Sequence, residues 1–339
     1  MRCLPVVLYS DGRSRSSVEG VLRTAGHRSV ILALLILSIA LLFLLPPEPV
    51  RAISPIIFDS SGSRSCTYGS GCGYGGPTTL AWSHTVGSGS NRILIVGISY
   101  VYVVEPGLSP SDVTSVTYGT ASLTLIPGAT KVSSSNNVHV ELWALQDPPT
   151  GTATITVTLC CGTTSNYHYL LFAVAGSASY FNVASTGTPV GSEDNTFYTG
   201  LSASESVPGS ANDLVVDTVG LCDCTGSAPY SPGFSTVAVS GSGQTQHWNS
   251  GSLNDFSGEN FAAGGSGQAA SGSSVTNSWS LTEYDSDYSD WSLIAVPLTP
   301  AATTTTTTGP PIPEYPIGLP ILAILMIIGY GLVRRRIRN

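Results

Sequence analysis

The sequence predicts an all-β protein: an antiparallel β-sandwich of jelly-roll type, flanked by an N-terminal apolar helix and a C-terminal transmembrane helix. Three observations predict it. Only 10% of the 339 residues are charged, and 37 are glycine, whereas ordinary soluble domains carry roughly 25% charge. Between the two ends, apolar residues recur with a period of two and not of 3.6. Turn-forming residues separate these stretches at short intervals.

Residues 1–52 come first. Val30 to Leu45 form a sixteen-residue apolar run, preceded by Arg13, Arg15, Arg23 and Arg28 and followed by Val50 and Ala52. A basic leader, an apolar core and a small-residue cleavage site describe a secretory signal peptide, or a signal anchor if it is not cut. Either one exports the chain that follows.

Residues 53–300 form the expected extracellular domain. Its three basic residues, Arg64, Arg92 and Lys131, face seventeen acidic ones, a net charge of −14. Such a surface repels nucleic acid and excludes it as a partner. Ala153 to Leu159 alternate cleanly, with Ile155, Val157 and Leu159 on one face and threonines on the other. Arg92 to Val103 are apolar at both parities and read as a central strand. Ser115 to Ile126 read as a hairpin turning near Gly119 and Thr120. Asn137–Leu145, Leu170–Ser177, Asn212–Leu221 and Asp290–Leu298 complete a core set of at least seven strands.

Six cysteines fall in three close pairs within this domain: Cys66/Cys72, Cys160/Cys161 and Cys222/Cys224. Disulfides are favoured outside the cell. Cys66–Cys72 closes a small glycine-rich loop. The other two pairs each follow a core strand and are expected to bridge neighbouring loops, although six cysteines allow fifteen pairings. Glu283 to Asp290 pack four carboxylates into eight residues. Asp285, Asp287 and Asp290 are the candidate ligands of a calcium ion, which takes six to eight oxygens. Trp82, Trp143, Trp248, Trp279 and Trp291, with Tyr284 and Tyr288, are candidates for a sugar-stacking platform. Trp248 is expected to be among the exposed ones. The Gly-x-Ser-x-Gly, His-Glu-x-x-His and P-loop patterns do not occur, and His84, His139, His168 and His247 are scattered. No enzyme is expected.

Residues 301–316 contain six threonines in succession and several prolines. This stretch cannot bury a core and is read as an extended stalk. Ile317 to Val333 form a seventeen-residue apolar span of about 25 Å if helical. The tail, residues 334–339, carries four arginines and is expected on the cytoplasmic side.

Two resemblances follow from these residues. Pro313, Glu314, Tyr315 and Pro316, the apolar span and the arginine cluster resemble the tripartite PEF-type sorting signals of archaeal surface proteins. Tyr315 stands where that pattern has Phe. This resemblance implies a membrane peptidase of the archaeosortase/exosortase class as a partner. The stretches Asn91–Tyr100, Val116–Thr124, Val140–Thr158, Ala211–Asp217, Gly243–Asn249 and Ser289–Leu298 are similar to a domain recurrent in secreted bacterial and archaeal proteins. That likeness spans roughly 210 residues; it implies a sandwich and an exported location, and no activity. The expected function is a structural or adhesive surface protein, membrane-tethered, with envelope proteins or surface glycans as partners. The alternatives are a carbohydrate-binding module and, third, a surface hydrolase.

Overall fold

Alternation of apolar and hydroxyl side chains is what makes most of these strands. Thr78 to Val86 alternate buried and exposed without a break, as a strand with one face in a core must. In this computed structural model the described residues are 53–72, 78–103, 113–135, 137–159, 169–194, 202–223, 235–254, 259–283 and 290–302, with Leu325, Ile328 and Gly329. The expected signal segment, the stalk beyond Ala302, the Pro313–Pro316 motif and the basic tail lie outside them. Among the described residues, no helix is long and apolar enough to cross a membrane.

The described residues form twenty strands. The first ten are β1 (Ile57–Tyr68), β2 (Gly71–Cys72), β3 (Thr78–Val86), β4 (Ile93–Val103), β5 (Val113–Tyr118), β6 (Ala121–Ser122), β7 (Thr124–Val132), β8 (Val138–Gln146), β9 (Gly151–Leu159) and β10 (Tyr169–Phe181). The next ten are β11 (Val183–Thr186), β12 (Val190–Asp194), β13 (Ser202–Pro208), β14 (Leu214–Asp223), β15 (Ser235–Val239), β16 (Gln244–Asn249), β17 (Leu253–Asn254), β18 (Asn260–Ala269), β19 (Ser274–Glu283) and β20 (Asp290–Pro300). All seven expected core strands are present, and the hairpin turns at Gly119 and Thr120, with Tyr118 opposite Ala121.

The strands form four sheets. A six-stranded sheet runs β2-β1-β10-β4-β8-β7 and a four-stranded one β3-β9-β5-β6. A seven-stranded sheet runs β11-β20-β14-β18-β16, with β12 and β17 attached, and a three-stranded one β13-β19-β15. Sequence reading anticipates a single sandwich, but the chain builds the same strand order twice. β1-β10-β4-β8-β7 facing β3-β9-β5 in the first half matches β11/β12-β20-β14-β18-β16 facing β13-β19-β15 in the second. The registers match as well. Ile93 pairs with Gln146 and Tyr180, and Leu214 pairs with Ala269 and Leu298. Both central strands open two residues after an asparagine at positive φ, Asn91 (49°) and Asn212 (80°), a conformation asparagine tolerates better than most residues.

Four layers follow from where the apolar side chains go. Leu80, Trp82, Ile155 and Val157 of the four-stranded sheet pack on Leu94, Val96 and Ile98 of the six-stranded one. The other face of that sheet, with Ile95, Val140 and Phe172, packs on Val216, Phe261 and Ile294 of the seven-stranded sheet. The far face of the seven-stranded sheet packs on Trp279 and Leu281 of the three-stranded one. Both large sheets are therefore covered on both faces. This is why β4, β14 and β20 are apolar at both parities.

Candidate functional site

Strands buried on both faces leave no neutral place for a charged side chain, so each polar residue in them marks a built centre. Asp217, fully buried on β14, is the first. Its Oδ1 accepts from the Ser266 amide at 2.8 Å and the Ser266 hydroxyl at 2.7 Å. Its Oδ2 accepts from Asn277 Nδ2 at 2.7 Å, Trp279 Nε1 at 3.1 Å and Gln244 Nε2 at 3.3 Å. Burial pushes this carboxyl above the usual carboxylate range, and the bonds from Ser266, Asn277 and Trp279 pull it back. Five donors saturate one carboxylate, so the group ties β14, β18 and β19 together.

Glu141 is the matching centre of the first half. It is fully buried on β8. Tyr100 donates to its Oε1 at 2.9 Å and Trp143 Nε1 to its Oε2 at 2.8 Å, while His139 stacks on Tyr100 with ring centroids 4.9 Å apart. In each half, then, a buried carboxylate accepts from a tryptophan N–H.

A third centre joins β1, β3 and β10. His84, 3% exposed, has Nδ1 3.0 Å from Ser177 Oγ and Nε2 3.2 Å from both Ser60 Oγ and Ser179 Oγ. Ser179 donates to Asp59 Oδ2 at 2.8 Å. The contacts run Asp59–Ser179–His84–Ser177. A serine thus stands where a hydrolytic triad needs a carboxylate against the imidazole. Burial lowers His84 to about 4, against the upward pull of Asp59.

The fourth centre lies on the seam between the halves. His247 of β16 stacks on Phe58 at 4.3 Å and meets Tyr180 edge-on at 5.8 Å. Burial lowers His247 to about 4 and drives the Tyr180 phenol well above its ordinary value. The sign of the resulting pH dependence is fixed. Unfolded histidine takes its proton near 6.5 and these two near 4, so between those values the unfolded chain holds more protons. Stability is therefore lost as pH falls through that window. We expect His247→Phe, which keeps the stack, to lose less melting temperature than wild type between pH 7 and pH 4.5. An identical loss in the two proteins would remove His247 from the account.

The residues named by the sequence are distributed as follows. Cys66 and Cys72 form a disulfide with Cα atoms 5.4 Å apart, as expected. Cys222 is buried and disulfide-bonded, while Cys160, Cys161 and Cys224 lie outside the described residues. By its loop length the Cys66–Cys72 bond is worth about 2 kcal/mol, so Cys66→Ser with Cys72→Ser should lower the unfolding free energy by about that amount in denaturant titration. Asp285 and Asp287 lie outside the described residues. Asp290 is buried at the start of β20 and accepts from Asn137 Nδ2 at 2.5 Å and from the Ser135 hydroxyl. Burial raises its carboxyl, against the pull of these two bonds.

The expectation for Trp248 is corrected: it is 5% exposed and wedged between the two large sheets. Trp82, Trp279 and Trp291 are buried too, and Trp143 is half-buried. Tyr284 and Tyr288 lie outside the described residues.

Sequence reasoning did not single out Asp217, Glu141 or Asp59. A signal existed for the first two. Each is the charged residue in the inward phase of an otherwise apolar strand, between Val215 and Val219 or between His139 and Trp143. Compared with protein-family models and with curated proteins, the chain matches none.

Proposed function

We propose that this chain is an exported surface protein of structural or adhesive type, in which two fused jelly rolls form one stiff body on a threonine-rich stalk. The jelly-roll reading is supported by the order of each half. Numbered within a half, strands 1-8-3-6-5 face strands 2-7-4, with the fifth strand carried over to the larger sheet.

One observation carries the tethered-body reading. Ile53 and Ala302, the first and last described residues of the body, pair in an isolated antiparallel bridge. The midpoint of the chain is at the same pole, because Ala301 donates to the Asn182 carbonyl at 2.7 Å and Asn182 Nδ2 to the Pro55 carbonyl at 3.0 Å. Both flanking segments therefore leave the body at one point, which suits a head held away from a membrane by the stretch that follows Ala302, residues 303–316. The buried centres of Asp217, His84 and His247 support the same reading, because each joins two sheets.

In this reading the Pro313–Pro316 motif is a sorting signal, and the mature form ends near it without residues 317–339. Peptide mapping of cell-envelope material, with protease shaving of intact cells, tests both parts. Shaving is expected to release body peptides, and the "RRRIRN" end should be missing from the mature protein. Recovery of that end in stoichiometric amounts would make the segment a plain anchor. Body peptides that shaving never releases would end the surface reading.

A further inference from the structure

The two outermost sheets bury one face each and leave the other outward. On the four-stranded sheet, Thr158 stands between Thr79 and Ser115, and Thr156 between Ala81 and Thr117. The next two rows continue with hydroxyl side chains, and Thr85 Oγ1 lies 2.8 Å from Thr152 Oγ1. On the three-stranded sheet, Ser280 stands between Ser202 and Ala238, and Ser278 faces Ser204. All these positions are exposed or half-exposed. On both faces, the described outward positions within the strands are threonine, serine or alanine, with Pro208 at the end of β13, and none carries a charge. These faces are the two ends of the four-layer stack, in a domain whose sequence carries a net charge of −14.

We propose that the threonine face of one copy stacks on the serine face of the next, so that the chain assembles head to tail into open filaments or arrays. This rests on the structural-surface reading above and names the partner: a second copy. Charge points there first. Like-charged bodies approach most easily where neither carries charge. Twist points there second. Neighbouring strands rotate by about 20–25°, so a three-strand face is not planar. It matches poorly to a flat crystalline surface but well to another twisted sheet, since stacked sheets settle about 30° apart. The internal duplication adds a third argument. The two end sheets share strand order, so they carry related curvature. One face meeting a different face is a heterologous contact, and between opposite ends of one stack it propagates into an open array.

The contact is weak by size. Three strands about 4.8 Å apart and nine residues of about 3.4 Å each span about 400 Å² a side. That is about half a standard interface. Tethering many copies on one surface raises their effective concentration and makes such a contact sufficient.

Cysteine cross-linking of the purified full-length protein at high concentration in detergent tests this separately from surface location. We expect Thr156→Cys combined with Ser278→Cys to give a ladder of multimers under oxidation. Either substitution alone should give no ladder, and adding Thr158→Glu to the double variant should abolish the ladder. Melting curves like the wild type's establish that each variant is folded. Dimers from a single substitution would make the contact face-to-face and overturn head-to-tail stacking. Absence of any ladder from a folded double variant would overturn it too. So would a threonine face that added neutral polysaccharide shields from thiol labelling while no ladder forms. Shaving of intact cells remains the independent readout for the surface reading.

Discussion

Trp248→Ala is expected to destabilise the protein by about 3–5 kcal/mol, the range for emptying a buried tryptophan site. The ring lies between the two large sheets in a notch made by three glycines. Gly97 and Gly176 are cross-strand partners in the six-stranded sheet, and Gly265 pairs with Trp248 itself. A Cβ built on Gly97, Gly176 or Gly265 would come within 2.7, 2.2 or 1.9 Å of the ring. Gly265→Ala should therefore cost at least the 1–3 kcal/mol of an overpacked core. The two changes should couple. Once Trp248 is alanine, the extra methyl at position 265 meets open space, and adding it should be nearly neutral. Urea unfolding followed by far-ultraviolet circular dichroism on the four proteins measures this cycle. Additive losses would mean that the glycines are there for some reason other than the ring.

Asp217→Ala is the second large effect, about 3–5 kcal/mol, because removing one partner of a buried charged network strands the others. Asn277, Trp279 and both donors of Ser266 lose their acceptor. Asp217→Asn should fall between alanine and wild type. It keeps the volume and one acceptor oxygen but aims an NH₂ group at a site already full of donors, costing about 1–3 kcal/mol. The same urea titration ranks the three proteins. Equal stability of Asp217→Asn and wild type would mean that the carboxyl is protonated in the folded state.

The strands were legible wherever one face is wet. Ala153 to Leu159 alternate hydroxyl and apolar residues, and β9 does what that pattern asks. β4 and β14 were legible for the opposite reason, as runs too apolar for a surface. β18 was not. Its Phe-Ala-Ala-Gly-Gly-Ser-Gly stretch is not among the expected strands, because glycine weakens an isolated strand. In the fold it is a central strand between two tryptophans. A Cβ on Gly264 would meet Trp279 at 2.8 Å on one face, and one on Gly265 would meet Trp248 on the other. The glycines are vacancies shaped for rings that arrive from 15 residues later and 17 earlier, so no local window contains the reason for them. Trp248 was misjudged for the same cause: its neighbours Gln246, His247 and Asn249 are polar, while the glycines that receive its ring lie on other strands.

By itself the sequence determined the all-β class, the place of the core strands, the hairpin at Gly119 and the Cys66–Cys72 loop. All of these rest on period-two patterning or on spacing within a few residues. Only the tertiary structure decided that the strand order is used twice, that both large sheets are covered on both faces, and that Asp217, Glu141 and Trp248 are interior. The physical reason is the range of the interactions. Backbone geometry fixes which side chains share a face of one strand, but what covers that face often comes from strands 93 to 120 residues away. His84 of β3 meets Ser177 of β10, and Ser99 of β4 bonds the carbonyl of Val219 on β14. A residue's identity constrains such a contact only after the sheets have stacked.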